Sequence, residues 1–370
     1  MYLASSNAAA IVAAARNLEL RPGESLMILL GEDDRPDIAA MLAGLDAAAI
    51  SCFGGFFTGV IDGETCSTRG ALLLPMPLLA PPILVQGLER TPITLPALAD
   101  LPSLADATVM VWVDGLTANI ASFLDVLFDF FGDSPHYLGG GAGSLSLRQE
   151  PCVFTNAGLF QDAAVVALVA LRSNLGVRHG WQSLMGPIVA TRTHKNVVSE
   201  LNWRNAFAVY KEVVEADAGI TLTTANFFDV AKGYPFGIYR EGSEFIVRDP
   251  IAVNDSGELI CVGEVAEQTV LEILKGESQS LIAAAGQAAM DSCGAPDVQT
   301  CFSLVVDCIS RALFLEDAFS AELVQVAKII SAQGGNDRPQ GVLSLGEISS
   351  YGEGLLEFFN KTIVVGVLYA

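Results

Sequence analysis

Short apolar runs alternate with longer amphipathic stretches through the first third of the chain. Residues 25–30 and 49–53 have the length and apolar character of buried strands, while residues 36–45 have helical length. An alanine-rich stretch up to Leu18 follows Ser5-Ser6-Asn7, which is typical of a helix that begins at a polar N-cap. The chain is therefore expected to begin as an alternating α/β unit.

Towards the middle of the chain the pattern changes to β-rich segments separated by turn residues. Residues 152–155, 163–171 and 187–191 predict an antiparallel meander. We expect a glycine loop at 139–143 before this meander and a second loop at 178–185 within it. The fold is thus not expected to be purely doubly wound.

The last part of the chain mixes helical patterns with short strands. Residues 203–217 and 278–290 have helical periodicity, and Asn254-Asp255-Ser256-Gly257 is a strong hairpin signal between two short strands. With a boundary placed near Leu201, the sequence predicts a mixed α+β (α/β) protein. Residues 1–200 and 201–370 form its two halves, each a largely antiparallel sheet layered with helices.

Composition and charge narrow the range of partners. The chain has 370 residues, of which 51% are hydrophobic, so it can bury a large core. It carries 20 Lys and Arg against 42 Asp and Glu, a formal net charge of -22. Because phosphate backbones and acidic lipid surfaces are negative, we expect neither nucleic acid nor membrane as a partner.

Cysteine usage and the apolar runs bear on location. The seven cysteines contain no C-x-x-C pair, which suits reduced thiols better than a disulfide framework or a zinc ribbon. Residues 71–87 are apolar but are interrupted by four prolines, and no basic residue precedes the first apolar run. We therefore expect no membrane span and no signal peptide, and a soluble, cytoplasmic protein.

Two glycine-containing segments are candidates for close approach of a ligand. Phe53, Gly54 and Gly55 stand at a predicted strand end, where glycine permits close backbone contact; a bulged strand packed on a helix is the alternative. Gly140 and Gly141 belong to the loop at 139–143, which lacks the lysine of a phosphate loop and the spacing of a dinucleotide fingerprint.

The remaining candidates are polar or aromatic residues. His179 stands beside Trp181 and is a candidate to bind a group held in an apolar pocket. The alternative is a loop histidine that hydrogen-bonds to the backbone. Arg248 could clamp a ligand carboxylate with its planar guanidinium, and Glu347 is a single carboxylate that is also a candidate ligand contact. Internal ion pairs are the alternative for both residues. The histidine spacing predicts no zinc site, and no nucleophile motif or paired-carboxylate pattern predicts an enzyme.

Three groups of segments together resemble the FIST family, a two-part sensory module of prokaryotic signal proteins. The first group is Gly139-Gly140-Gly141-Ala142-Gly143 with Asp162-Ala163-Ala164-Val165-Val166. The second is Gly180-Trp181 with Pro187, Val189-Ala190-Thr191-Arg192, Glu200-Leu201 and Tyr210. The third is Tyr234-Pro235-Phe236-Gly237, Val247-Arg248-Asp249-Pro250, residues 341–348 and Phe359-Asn360-Lys361-Thr362. Ser144 and Asn202-Trp203-Arg204-Asn205 depart from the family pattern, as does the segment 52–59, which indicates a divergent branch.

The resemblance implies a small-molecule sensor without catalytic activity that acts on a separate partner, such as a histidine kinase or a cyclase. It also implies ligand contacts from Asn360 and from the candidates already named. Some family members resemble haem-binding nitric oxide sensors, which would make His179 an axial ligand. A protein-interaction scaffold without a ligand is the alternative from another class, and a hydrolase or transferase on the same fold is a third. The ligand itself stays open.

Overall fold

The structure is a computed structural model that describes residues 1–96, 103–239, 244–294, 300–332, 338–351 and 355–369. Its helices are α1 (Ala8–Asn17), α2 (Ile38–Asp46), α3 (Ile120–Phe131), α4 (Ala206–Ala218), α5 (Phe227–Ala231), α6 (Ser278–Ser292), α7 (Ile309–Leu315) and α8 (Phe319–Ala332). Its strands in the first two hundred residues are β1 (Tyr2–Leu3), β2 (Glu24–Gly31), β3 (Cys52–Phe57), β4 (Gly59–Asp62), β5 (Thr65–Ser67), β6 (Ala71–Pro77), β7 (Ile83–Gln86), β8 (Thr108–Asp114), β9 (His136–Ala142), β10 (Val153–Thr155), β11 (Gly158–Phe160), β12 (Ala163–Val169), β13 (Arg172–Arg178), β14 (Gln182–His194) and β15 (Val197–Leu201). The later strands are β16 (Arg204–Asn205), β17 (Phe236–Ile238), β18 (Ile246–Val253), β19 (Leu259–Val262), β20 (Thr269–Lys275), β21 (Thr300–Cys308), β22 (Gln340–Ser344), β23 (Glu347–Tyr351), β24 (Leu355–Phe359) and β25 (Ile363–Tyr369).

The first elements form for reasons that are local. Helix α1 begins where the Asn7 side chain accepts a hydrogen bond from the Ala10 backbone N–H, and α2 begins in the same way at Asp37. Strand β2 is buried on both faces: Leu26 and Ile28 belong to the cluster under α1 and α2. An uninterrupted apolar run is the pattern expected of such a strand.

Three open sheets carry most of the chain. The first has the strand order β1-β6-β2-β3-β10-β11, the second β24-β23-β9-β8-β12-β7 and the third β13-β25-β21-β22-β4-β5. Parallel pairs are β2 with β3, β8 with β9 and β21 with β22, and the other pairings in these sheets are antiparallel. The mixed α+β class is thereby confirmed.

A fourth sheet closes on itself. Strand β14 pairs with β20 on one side and with β15 on the other, so that β14, β20, β17, β18, β19 and β15 form a ring. Its buried cluster includes Ile188, Phe236 and Leu271 together with Tyr210 of α4. Strand β18 of this barrel packs beside β24 of the second sheet.

Strands from both sides of Leu201 share sheets. Strand β9 pairs with β23, β4 pairs with β22, and β13 pairs with β25. One large core therefore combines residues from distant parts of the chain, among them Met27, Trp112, Val306 and Leu368. The division into residues 1–200 and 201–370 stays a prediction.

Two predicted loops are strands. Residues 136–142 form β9, so the expected glycine loop at 139–143 is wrong for all but its end. The reason is packing: a Cβ on Gly140 would lie 2.9 Å from Val306 Cγ1 and 3.0 Å from the Gly346 carbonyl oxygen, so the glycines let two sheets approach closely. The loop at 178–185 is also wrong, because β13 and β14 leave only residues 179–181 between them.

Candidate functional site

A cavity of about 530 Å³ lies where the barrel meets the second and third sheets. Its lining includes the segment 115–121, which runs from the end of β8 into the first turn of α3, together with Ile251 of β18 and the end of β19. The amino-terminal part of α7, the end of β24 and Asn360 also belong to the lining. The volume falls in the range of small-molecule sites, roughly 300–1,000 Å³.

The structure brings two of the sequence-predicted site residues into this lining. Arg248 and Asn360 both line the cavity, although 112 positions separate them in the chain. Glu347 lies behind Cys308, which is itself a lining residue and hydrogen-bonds to the Glu347 carboxyl group. The other predicted residues lie elsewhere.

Asn360 offers an unused acceptor. Its side chain is 2% exposed, and its Oδ1 is buried without a hydrogen-bond partner among the described residues. Buried polar atoms are paired in the great majority of cases, and an unpaired one is costly. An unpaired acceptor in a cavity wall is therefore an observation that a bound molecule would explain.

Gly263 keeps the space in front of Asn360 open. Its φ is +83°, and a Cβ at this position would lie 2.9 Å from Arg248 Cδ and 3.0 Å from Asn360 Oδ1. A side chain here would therefore be strained and would also fill the cavity against both residues. Gly263 is a functional candidate that the sequence analysis did not identify. Its one sequence signal was that of a turn, since a glycine directly after a short apolar strand is typical of a turn.

Arg248 is a structural part of the wall. Its Nε donates to the Glu264 carbonyl oxygen at 2.9 Å, and Nη1 donates to the carbonyl oxygens of Val247 and Phe358, each at 3.1 Å. Nη2 donates to Glu357 Oε1 at 3.4 Å. These contacts correspond to the predicted alternative of an internal ion pair. A bidentate clamp on a ligand carboxylate would require the guanidinium to leave protein partners.

A buried charge cluster includes Asp307 and Arg311, which flank the cavity-lining residues 308–310 in the chain. Arg311 donates to both Glu322 carboxylate oxygens, at 3.1 and 2.6 Å, and its Nε lies 3.3 Å from Asp307 Oδ1. All three side chains are fully buried. Burial raises the pKa of Asp307 well above its usual range, and the Glu322 charge raises it further.

Glu347 belongs to the same region and is a buried acid. It accepts hydrogen bonds from Ser344 Oγ at 2.7 Å and from the Thr362 N–H at 3.3 Å. Burial raises the pKa of Glu347 to about 8, even though these donors and Arg311 act in the opposite direction. The group is therefore largely protonated at neutral pH, which removes the cost of burying a charged carboxylate.

Lys361 links the cavity to Trp181. It directly follows Asn360, has a φ of +53° and is fully buried. Its Nζ lies 3.1 Å from Asp249 Oδ2 and 4.8 Å from the centre of the Trp181 ring, and its carbonyl oxygen accepts from Trp181 Nε1 at 3.0 Å. Trp181 is therefore a buried residue that packs against Lys361, and it does not line the 530 Å³ cavity.

His179 does not fit the axial ligand of a haem. Its Nδ1 accepts from the Trp181 N–H at 2.9 Å, while its buried Nε2 lies 3.5 Å from Glu244 Oε2. Burial lowers the pKa of His179 to about 3, and Arg311 and Arg178 lower it further. The shallow depression beside His179 is lined by Gln182, Ser280 and other residues, but neither ring nitrogen faces open space. Nitrogen-to-iron bonding at this residue is thus not supported.

The aromatic and glycine candidates of the first half lie in the core. Phe53, Gly54 and Gly55 are buried in β3, and Gly140 and Gly141 are buried in β9. None of the five is among the cavity-lining residues. Their role as ligand contacts stays a prediction, and their observed environment is close sheet packing.

Two further residues, Cys308 and Arg311, had little sequence signal. Asp307 is the next-to-last residue of the apolar strand β21, and Arg311 lies four positions further along in α7. A charged pair between apolar segments could have indicated a buried ion pair. Cys308 carried no such signal.

Within the described residues there is no group of three or more His, Cys, Asp or Glu side chains that could hold a metal ion.

Comparisons with known proteins match both parts of the chain. The model of the FIST N domain matches residues 25–204, and the model of the FIST C domain matches residues 206–350. None of the curated proteins matches the chain. In the part of the chain that the structure describes, no helix has both the length and the apolar character needed to cross a membrane.

Proposed function

Because the chain belongs to the FIST family of sensory modules, we propose that it senses a small molecule that binds in the 530 Å³ cavity. FIST domains are sensory and ligand-binding modules rather than a catalytic family. The observation that carries the proposal is the unpaired, buried Oδ1 of Asn360 in the wall of a cavity that Gly263 keeps open.

The position of the cavity supports a sensory role. Its lining residues come from both sides of Leu201, among them the segment 115–121 and residues of β18 and β19. A ligand that contacts both walls would favour one arrangement of the two parts over others, which is the thermodynamic requirement for a signal. Asn360 directly precedes Lys361, whose carbonyl oxygen accepts a hydrogen bond from Trp181 Nε1. A shift of Asn360 on ligand binding could therefore be passed to Trp181 through one peptide unit and one hydrogen bond.

We propose further that the protein acts in the cytoplasm on a separate signalling partner, such as a histidine kinase or a cyclase. All seven cysteines are free thiols, which supports a reducing compartment. The net charge of -22 is unfavourable for nucleic acid and for acidic membranes. Cell fractionation tests the location, and co-purification with and without ligand tests the partner. Recovery outside the cytosol, or a partner set that ligand does not change, would contradict these two points.

The substitution Gly263→Ala is expected to abolish ligand binding. The added Cβ would lie 2.9 Å from Arg248 Cδ and would occupy the space in front of Asn360. Native mass spectrometry of the full chain purified from cells measures the effect, because a non-covalent adduct should appear in the wild type and disappear on denaturation. A panel of small molecules in a thermal-shift assay covers ligands lost during purification.

Gly219→Ala is the matched control. Gly219 also has a positive φ, +68°, but no atom lies within 4 Å of its Cβ position. Both variants therefore carry backbone strain, on the order of 1 kcal/mol, and only one fills the cavity. Equal binding by Gly263→Ala and the wild type would overturn the proposed site, and so would the absence of both an adduct and a stabilising molecule in the panel.

A further inference from the structure

The inner wall of the cavity, by which we mean the buried lining residues Leu345, Phe358 and Asn360, combines apolar side chains with one unpaired acceptor. Leu345 and Phe358 are each 7% exposed and line the cavity together with Leu313. Asn360 Oδ1 is the buried side-chain acceptor without a partner among the described lining residues. A ligand that fills this region gains by burying apolar surface, and it satisfies the acceptor if it presents one donor.

The charged groups of the lining are at the outer part of the cavity or already have partners. Lys195, Glu89 and Glu264 are exposed residues. Arg248 and Glu357 interact with each other at 3.4 Å. No described lining residue thus places a spare counter-charge beside Asn360.

We propose that the ligand is a neutral, largely apolar small molecule that donates one N–H or O–H to Asn360 Oδ1. This assignment rests on the proposed ligand-binding function and names the chemistry of the same site. The donor belongs to the ligand and the acceptor to the protein, so the hydrogen bond orients the molecule with its apolar body against Leu345 and Phe358.

Two charged alternatives are less favourable. An anion could use the amino end of α3, since Asn119 makes no side-chain cap and Asn119, Ile120 and Ala121 line the cavity. However, an anionic group at the inner wall would face the oxygen of Asn360. A cation would have to leave water for the apolar wall formed by Leu345 and Phe358 without a free carboxylate beside it.

The test uses four compounds on one scaffold with the full chain. Indole is neutral and carries an N–H donor, 1-methylindole is neutral without a donor, tryptamine is cationic and indole-3-acetate is anionic. Isothermal titration calorimetry should show that indole binds about tenfold more tightly than 1-methylindole, the effect of one hydrogen bond to a buried acceptor. Indole should also bind more tightly than either charged analogue.

The variant Asn360→Leu separates the hydrogen bond from simple filling of the cavity. It should reduce the ratio of indole to 1-methylindole affinity to about one and should leave binding of 1-methylindole unchanged or improved. The fold should tolerate the change, because it removes a buried polar atom that has no partner. The wild-type ratio remains a test of its own if the variant does not fold.

Each other result overturns the assignment in a distinct way. Equal binding of indole and 1-methylindole would show that the acceptor is not used. Tighter binding of indole-3-acetate would indicate an anionic ligand at the amino end of α3, and tighter binding of tryptamine a cationic one. Failure of all four compounds, with an adduct that Gly263→Ala removes, would reject this ligand class and leave the proposed function standing.

Discussion

Replacing Arg311 with methionine is expected to lower the free energy of unfolding by about 3–5 kcal/mol, because removal of one partner leaves a buried ion pair uncompensated. Arg311 is fully buried and donates to Glu322 and to the carbonyl oxygens of Leu281, His179 and Lys361. Methionine restores neither the charge nor these hydrogen bonds. Chemical denaturation followed by circular dichroism measures the loss.

Two further variants identify the cause of that loss. Arg204→Met removes an exposed arginine that is paired with Glu212, and it should leave stability nearly unchanged. Combining Arg311→Met with Glu322→Gln should recover part of the lost stability, since the uncompensated carboxylate is then neutral. If the double variant is as unstable as Arg311→Met, packing and carbonyl contacts rather than charge account for the effect.

Glu347→Gln is expected to change how stability depends on pH. Burial raises the pKa of Glu347 from 4.5 to about 8 in the folded protein. Between these values the folded chain keeps a proton that the unfolded chain has released, so this group makes the wild type less stable as pH rises. The slope is about 1.4 kcal/mol per pH unit, and it ends above the folded pKa.

Glutamine cannot titrate, so the variant should lack this contribution. We expect the stability of Glu347→Gln relative to the wild type to increase from about pH 5 towards about pH 8. Urea denaturation of both proteins across this range measures the difference, and other buried acids largely cancel in it. If the unfolding free energies of the two proteins instead run parallel with pH, Glu347 is ionised in the folded state and the prediction is wrong. Glu212→Gln is the control, because it makes the same substitution at an exposed glutamate.

Local signals predicted the elements whose formation depends on nearby residues. Asn7 and the alanines after it gave the start of α1, and the turn at 254–257 joins β18 to β19. Strand β2 was readable because both of its faces are buried, which requires an uninterrupted apolar run. These elements need no information about distant partners.

The errors arose where a distant partner decides the conformation. The glycines of β9 have turn-like composition, but Gly140 pairs with Glu347, more than two hundred residues away, and its missing side chain makes room for the third sheet. His179 had the residue type of a metal ligand, yet its ring nitrogens face Trp181 and Glu244. Neither outcome can be inferred from spacing.

The candidate site shows the same division. The residue chemistry of Arg248 and the family resemblance at Asn360 made both candidates, and both line the cavity. The sequence contained no signal that carbonyl oxygens and Glu357 would hold Arg248. Gly263 could be recognised only from its φ and from the atoms around it. Contacts between residues far apart in the chain define the chemistry of the cavity.

Composition, apolar periodicity and ordered family motifs were sufficient for the fold class, the acidic character and the family, because these properties are sums or local patterns along the chain. The cavity, its unpaired acceptor and the buried charges behind it depend on which strands pair and how closely their sheets pack. Asn360 became a candidate donor-recognition group only once the tertiary structure left its oxygen in a cavity wall without a partner.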